Sequence, residues 1–109
     1  MQERIPAQNI EAEQAVLSAI LIDNNVMEKI EEILKPSDFY RIVHQIIYQS
    51  MLDMHAKHQP IDMITLIEEL KNRPGVTFRS NTTKDGLVGT FEHAPAMVFT
   101  VKLPVNDEV

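Results

Sequence analysis

Histidine and acidic side chains cluster at one place where they could bind a metal ion. His55 and His58 lie three residues apart, with Asp53 and Asp62 nearby. Imidazole nitrogens and carboxylate oxygens are common zinc ligands. The two histidines also fall at a predicted helix end, where exposed histidines interact favourably with the helix dipole. The loose spacing favours this second interpretation, so we expect no metal site.

Other residues could act as acids or bases, but none has a partner for catalysis. Glu31-Glu32 and Glu68-Glu69 are adjacent carboxylates, and each pair falls on the polar side of a predicted helix, opposite an apolar stripe. His44 has no nucleophile suggested beside it, and we expect it at the surface or in an interface. The sequence therefore predicts no catalytic residue.

A phosphate-binding loop is also missing from the sequence. The three glycines, Gly75, Gly86 and Gly89, never form the pattern GxxxxGK[ST] that holds a triphosphate. The sequence predicts that the chain by itself is not an ATPase and carries no cofactor.

Charge and composition favour a protein partner. The 109 residues carry a net charge of −6. This charge falls on residues 1–72, whereas the acidic and basic side chains of residues 73–109 balance. An acidic domain repels phosphate, which argues against direct binding of nucleic acid. The chain has no cysteine, which fits a reducing compartment, and no signal peptide or membrane span is predicted.

The hydrophobic pattern predicts four short helices within residues 1–72. Their predicted starts follow Asn9 and Asn25, lie near Ile42 and follow Asp62, since Asn and Asp are good N-caps. Ala12, Ala15, Val16, Ala19 and Ile20 are the predicted inward stripe of the first helix, which Leu17 and Leu21 widen, and Ile33 is expected inside on the second. The predicted core includes Val16, Ile20, Ile30, Leu34, Ile46, Ile47, Leu66 and Leu70.

The tail differs in character. Val76 to Phe78 and Met97 to Leu103 are rich in β-branched and aromatic residues, Lys84-Asp85-Gly86 is a turn signal, and Pro74-Gly75 ends the fourth helix. The predicted fold class is an all-α bundle over residues 1–72. An unassigned tail follows over residues 73–109, formed of short strands or irregular chain.

Two adjacent aromatic residues stand out between the second and third helices. Both cannot point into one small core, so either one of Phe39 and Tyr40 is available to a partner, or both pack under the turn. Tyr48, on the flank of the third helix, is the remaining candidate. The candidate partner contacts are Phe39, Tyr40 and Tyr48.

Three segments carry a family resemblance: RIPAQNIEAEQAVLSAIL, EILKPSDFY and PIDMITLIEELK. Their order and spacing resemble the N-terminal domain of DnaB-type replicative DNA helicases, over about residues 3–72. The match stops near Pro74. The resemblance implies a small helical bundle in the cytoplasm that assembles with other helicase subunits and receives the primase and the helicase loader.

The same resemblance places ATP and Mg²⁺ in a separate motor domain, so DNA would be contacted only indirectly. In that family a helical hairpin follows the bundle, whereas the tail of this chain has no recognisable match. Two other interpretations stay open from the residues: a small helical DNA-binding protein with a β wing at Val76 to Leu103, and a stand-alone viral adaptor or decoy of the helicase.

Overall fold

A computed structural model describes residues 9–73 in full, together with the backbone of residues 76–83, 86–93 and 97–103. The predicted helix end at Pro74-Gly75 and most of the predicted turn, Lys84-Asp85, lie outside the described residues. The family segment before Asn9 lies outside them as well.

Residues 9–73 form four α-helices around one apolar core, which confirms the predicted all-α bundle. The helices are α1 (Ile10–Ile22), α2 (Met27–Ile33), α3 (Ile42–Ala56) and α4 (Met63–Lys71). Short 3₁₀ turns, Asn24–Val26 and Pro36–Asp38, precede α2 and follow it. Short connections of this kind let each helix bury its apolar side against its neighbours.

The tail contributes three antiparallel strands in the order β1-β2-β3. They are β1 (Val76–Thr83), β2 (Gly86–His93) and β3 (Met97–Leu103). Val76 pairs with His93, and Leu87 pairs with Leu103. The backbone of β1 lies beside α4, and that of β3 lies beside α1 and α3. The strand β2 has no counterpart in the sequence prediction, because its glycines weaken the β pattern.

The predicted inward face of α1 is confirmed at its large aliphatic residues and wrong at its alanines. Leu17, Ile20 and Leu21 are buried, whereas the predicted alanines Ala12, Ala15 and Ala19 are exposed. Large aliphatic side chains remove more apolar area from water than alanines, so they set which side of the helix faces the core.

Of the two core residues predicted on α3, Ile47 is fully buried, and Ile46 is partly buried and packs against the core. The prediction for Ile33 is wrong, because its side chain is 74% exposed. The helix ends at Ile33 and the backbone becomes extended at Leu34, which leaves Ile33 on the outer side of the last turn.

The predicted helix N-caps are confirmed in part. Asp62 caps α4 as expected: its carboxylate accepts from the Thr65 N–H at 2.9 Å, and the Thr65 hydroxyl accepts from the Asp62 N–H. Asn25 is not the cap predicted before α2. The Asp23 carboxylate caps the preceding 3₁₀ turn by accepting from the Asn25 N–H at 3.0 Å.

Candidate docking surface

The turn between α2 and α3, residues 34–41, is held by its own backbone and by one carboxylate. The Asp38 carboxylate accepts from the Lys35 N–H at 2.8 Å, and the Phe39 N–H donates to the Pro36 carbonyl at 3.1 Å. Proline fixes the entry to this 3₁₀ turn because its φ is restricted. The turn therefore has a defined shape.

Phe39 and Tyr48 lie inside the bundle. Their ring centroids are 5.0 Å apart. The centroids of the Phe39 and His44 rings are 6.4 Å apart, in a T-shaped arrangement. The Tyr48 hydroxyl donates to the Leu34 carbonyl at 2.9 Å, and burial raises the pKa of this phenol. These two side chains thus attach the turn to α3.

Tyr40 points outward, with 58% of its surface exposed, and Ile42 beside it is 44% exposed. Of the three residues that the sequence offers as partner contacts, Tyr40 is the one whose ring a partner could reach without unfolding the bundle. Amphipathic aromatic side chains of this kind are enriched at protein interfaces. Contact with a partner at Tyr40 stays a prediction.

A buried polar cluster fixes the backbone at Tyr40. Glu13, on α1, accepts hydrogen bonds from the Tyr40 N–H at 2.5 Å and, at a longer 3.5 Å, from the Arg41 N–H. It also binds His44 Nδ1 at 2.7 Å. Glu13 is 8% exposed and His44 is fully buried. One carboxylate therefore joins α1, the turn and the first turn of α3.

The expectation for His44 is wrong, because this residue is in the core. A carboxylate only accepts, so Nδ1 carries the proton that is shared with Glu13. The other ring nitrogen, Nε2, is buried and has no hydrogen-bond partner among the described residues. Burial lowers the pKa of His44, the bond to Glu13 opposes that effect, and the charge of Arg41 adds to it. An enclosed imidazole cannot reach a substrate, so His44 is not placed to act as a catalytic base.

Sequence reasoning missed this pair because it assigned charged residues to the solvent side. A signal was present: His44, Ile47, Tyr48 and Met51 recur at the spacing of one helical face. A titratable residue in phase with core positions points to a buried polar pair, because a buried charge needs a partner.

A shallow groove lies beside the turn and has a volume of about 150 Å³. Its walls are mainly apolar, with two carboxylates among them. The lining residues are Asn9, Ala12, Glu13, Val16, Leu34, Asp38 and Phe39. It is lined by Phe39, the residue before Tyr40, and by Glu13, which accepts from the Tyr40 N–H. The exposed Tyr40, Ile42 and this groove are called the Tyr40 surface below.

The histidines considered as metal ligands lie at the opposite end of α3. His55 and His58 line a groove of about 390 Å³, and His55 Nε2 is 3.7 Å from the Glu31 carboxylate. Among the residues that the structure describes, no three His, Asp or Glu side chains are grouped so that they could hold a metal ion.

Two glutamines on α3 that could read DNA bases are hydrogen-bonded within the protein. Gln45 Nε2 donates to the Phe39 carbonyl at 2.7 Å, and Gln49 Nε2 donates to the Asp53 carboxylate at 3.1 Å. A recognition helix needs such groups free for base edges. The geometry of α3 thus argues against the DNA-binding interpretation. No described helix is long and apolar enough to cross a membrane.

Comparison with known proteins gives one consistent family. The model of the DnaB-like helicase N terminal domain matches residues 5–86, reaching past the expected end near Pro74. The chain is 46% identical over 72 residues to the replicative DNA helicase DnaC of Bacillus subtilis, covering 66% of this chain. It is 48% identical over 68 residues, or 62% of the chain, to the replicative DNA helicase DnaB of Geobacillus stearothermophilus.

The matched region is a small part of each relative. It covers 16% of the Bacillus subtilis protein and 15% of the Geobacillus stearothermophilus protein, so the chain spans about one sixth of the relatives it matches. The family match covers most of the chain, and its helical segments are those that form the Tyr40 surface. The chain belongs to the DnaB-like helicase N terminal domain family.

Proposed function

We propose that this chain is a docking and assembly domain of a replicative DNA helicase system, acting in the cytoplasm during DNA replication. Its partners are other helicase subunits, the primase and the helicase loader. The observation that carries the proposal is the Tyr40 surface, where an exposed aromatic side chain stands on a rigid turn of a bundle with this family's sequence.

The chemistry of that surface suits recognition of protein. Aromatic side chains that are rigidly held contribute much of the energy at protein interfaces, because little conformational entropy is lost on binding. The backbone of Tyr40 is held by Glu13, and its neighbour Phe39 is anchored in the core. The apolar groove beside Tyr40 adds a place for a partner side chain.

We assign no ATP hydrolysis and no cofactor to the 109 residues. They contain no GxxxxGK[ST] loop, and the net charge of −6 disfavours contact with phosphate. In the proposed role, ATP and Mg²⁺ act in the motor domain of helicase subunits, and DNA is reached through them. The purified chain should show no ATPase activity above background. Hydrolysis that disappears once contaminating ATPase is removed would leave this assignment intact.

Binding to purified partners tests the proposal. The full chain is immobilised and exposed in turn to the replicative helicase, the primase and the helicase loader of the same organism. We expect binding to at least one of them, and competition by free chain. Absence of binding to all three, with the chain folded by circular dichroism, would contradict a docking role.

The same experiment separates a subunit domain from a decoy. If the free chain displaces primase or loader from the intact helicase, it acts as a stand-alone adaptor or competitor. If it binds helicase subunits without displacing either, it acts as an assembly domain.

A further inference from the structure

The buried pair at the base of the Tyr40 surface combines two features that a purely structural contact does not need. Glu13 receives hydrogen bonds from two successive backbone N–H groups, those of Tyr40 and Arg41, across 27 and 28 residues of sequence. Its remaining strong contact is to His44, a residue that changes charge near neutral pH. Both features meet at one carboxylate.

The arrangement tolerates neutral His44 and opposes the charged form. With Nδ1–H donated to Glu13, a second proton would go to Nε2, which is fully buried and has no partner. A buried N–H without an acceptor is costly, and a buried charge is more so. Nε2 can therefore be protonated at low cost when the His44 ring moves into water. This movement separates His44 from Glu13.

The charges around His44 act in opposite directions. Glu13 on α1 favours the charged imidazole, while Arg41 at the start of α3 opposes it. In the 3₁₀ turn, the Asp38 carboxylate is bonded to the Lys35 N–H. The strand β3 lies beside α1 and α3, and Lys102 is its single charged residue.

We infer that Glu13 and His44 form a proton-sensitive latch that fixes the Tyr40–Arg41 backbone. Glu13 is a positioning residue for the Tyr40 surface, and protonation of His44 releases that surface. The consequence for partner binding rests on the proposed function, whereas the latch itself is a property of the chain alone.

Amide hydrogen exchange of the full, isotope-labelled chain tests the latch without any partner. After correction for intrinsic exchange, the Tyr40 and Arg41 amides should open more readily as the pH falls from about 8 to about 5. If protonation drives opening, the opening equilibrium rises by up to about tenfold for each pH unit below the usual pKa of histidine. Amides in the middle of α4 serve as the internal reference.

Two variants identify the groups. His44→Asn keeps an N–H donor near the Nδ1 position and removes the titration, so Tyr40 and Arg41 should stay protected with no pH dependence. Glu13→Gln should lose protection at both ends of the pH range. His55→Gln, which changes a half-buried histidine near the other end of the same helix, should leave the wild-type profile unaltered.

Several results would overturn the latch. One is wild-type protection of the Tyr40 and Arg41 amides that does not change with pH. Another is a pH profile of that protection in His44→Asn that equals the wild-type profile. If Glu13→Gln fails to fold, the comparison of wild type with His44→Asn still decides. A working latch in a chain that binds none of the three proteins would count against the proposed function and leave the latch standing.

Discussion

At the scale of single residues, burial separates the aromatic side chains into two roles. Phe39 and Tyr48 stabilise the bundle from inside, whereas Tyr40 projects from the turn they anchor. Removing an exposed ring costs the fold little, since surface substitutions usually change stability by less than about 0.5 kcal/mol. The same ring at an interface contributes far more.

Tyr40→Ala should therefore weaken binding to the helicase-system partner without destabilising the chain. We expect an affinity loss of about tenfold or more, the cost typical of an interface aromatic side chain. Titration calorimetry measures the affinity, and thermal unfolding checks the fold. Ile64→Ala is the control, because Ile64 is 76% exposed on α4. Equal binding by both variants would move the docking surface elsewhere.

The burial of His44 makes the free energy of unfolding depend on pH. Burial holds the pKa of His44 below its usual value of 6.5. The unfolded chain then binds the proton more readily than the folded chain, so the free energy of unfolding falls as the pH drops below 6.5. Above that pH the contribution of His44 is fully present. Thermal unfolding at several pH values should show this decline in wild type and in His55→Gln, and a flatter profile in His44→Asn.

At the scale of elements, the links between helices depend on polar side chains more than the apolar pattern suggests. The Asn24 side chain donates to the carbonyls of Ile20 and Ile61 at 2.8 and 2.6 Å. Its Oδ1 accepts from the Ile61 N–H at 2.7 Å. One amide thus joins the end of α1 to the segment before α4.

Asn24→Ala should destabilise the bundle by about 2 kcal/mol or more, since the backbone groups of the buried Ile61 lose their partners. Chemical denaturation measures the loss. Asn25→Ala is the matched control, because the Asn25 side chain is exposed and has no bond of this kind among those described. Similar losses in both variants would show that the Asn24 bridge contributes little.

The end of α3 contains a residue in an unfavourable backbone conformation. His58 has a φ of 59°, the left-handed region in which glycine has no steric cost. The Gln59 N–H donates to the Met54 carbonyl and the His58 N–H to the His55 carbonyl, which is the Schellman pattern of helix ends.

His58→Gly should raise the free energy of unfolding by about 1 kcal/mol, because it removes the strain of a β-carbon in this region. Lys57→Gly is the control: its φ of −92° suits any residue, so glycine there should lower stability through added chain entropy. If the two substitutions had the same sign of effect, the strain at His58 would not be the cause.

Sequence patterns predicted the elements better than their orientation. Asp62 and the start of α3 were placed correctly, since caps and prolines act locally. The large aliphatic residues of α1 were also placed inside, whereas its alanines and His44 on α3 were misplaced, because alanines were counted equally with leucines and His44 was expected at the surface or in an interface. Contacts such as that between Glu13 and Tyr40 join residues far apart in the chain, and no local pattern encodes them.

At the scale of the whole molecule, the chain combines an acidic helical bundle with three antiparallel strands, and it belongs to the DnaB-like helicase N terminal domain family. The family model matches residues 5–86, and the exposed Tyr40 side chain lies on the turn between α2 and α3. The proposed role needs contact between this chain and a helicase subunit, which is the claim most open to direct measurement.

Sedimentation velocity of the fluorescently labelled full chain, alone and with the replicative helicase of the same organism, measures that contact. The proposal predicts that the labelled chain moves to the sedimentation coefficient of the helicase, that unlabelled chain reverses the shift, and that Tyr40→Ala weakens it. A labelled chain that sediments at the same rate with and without helicase, while remaining folded, would contradict the account.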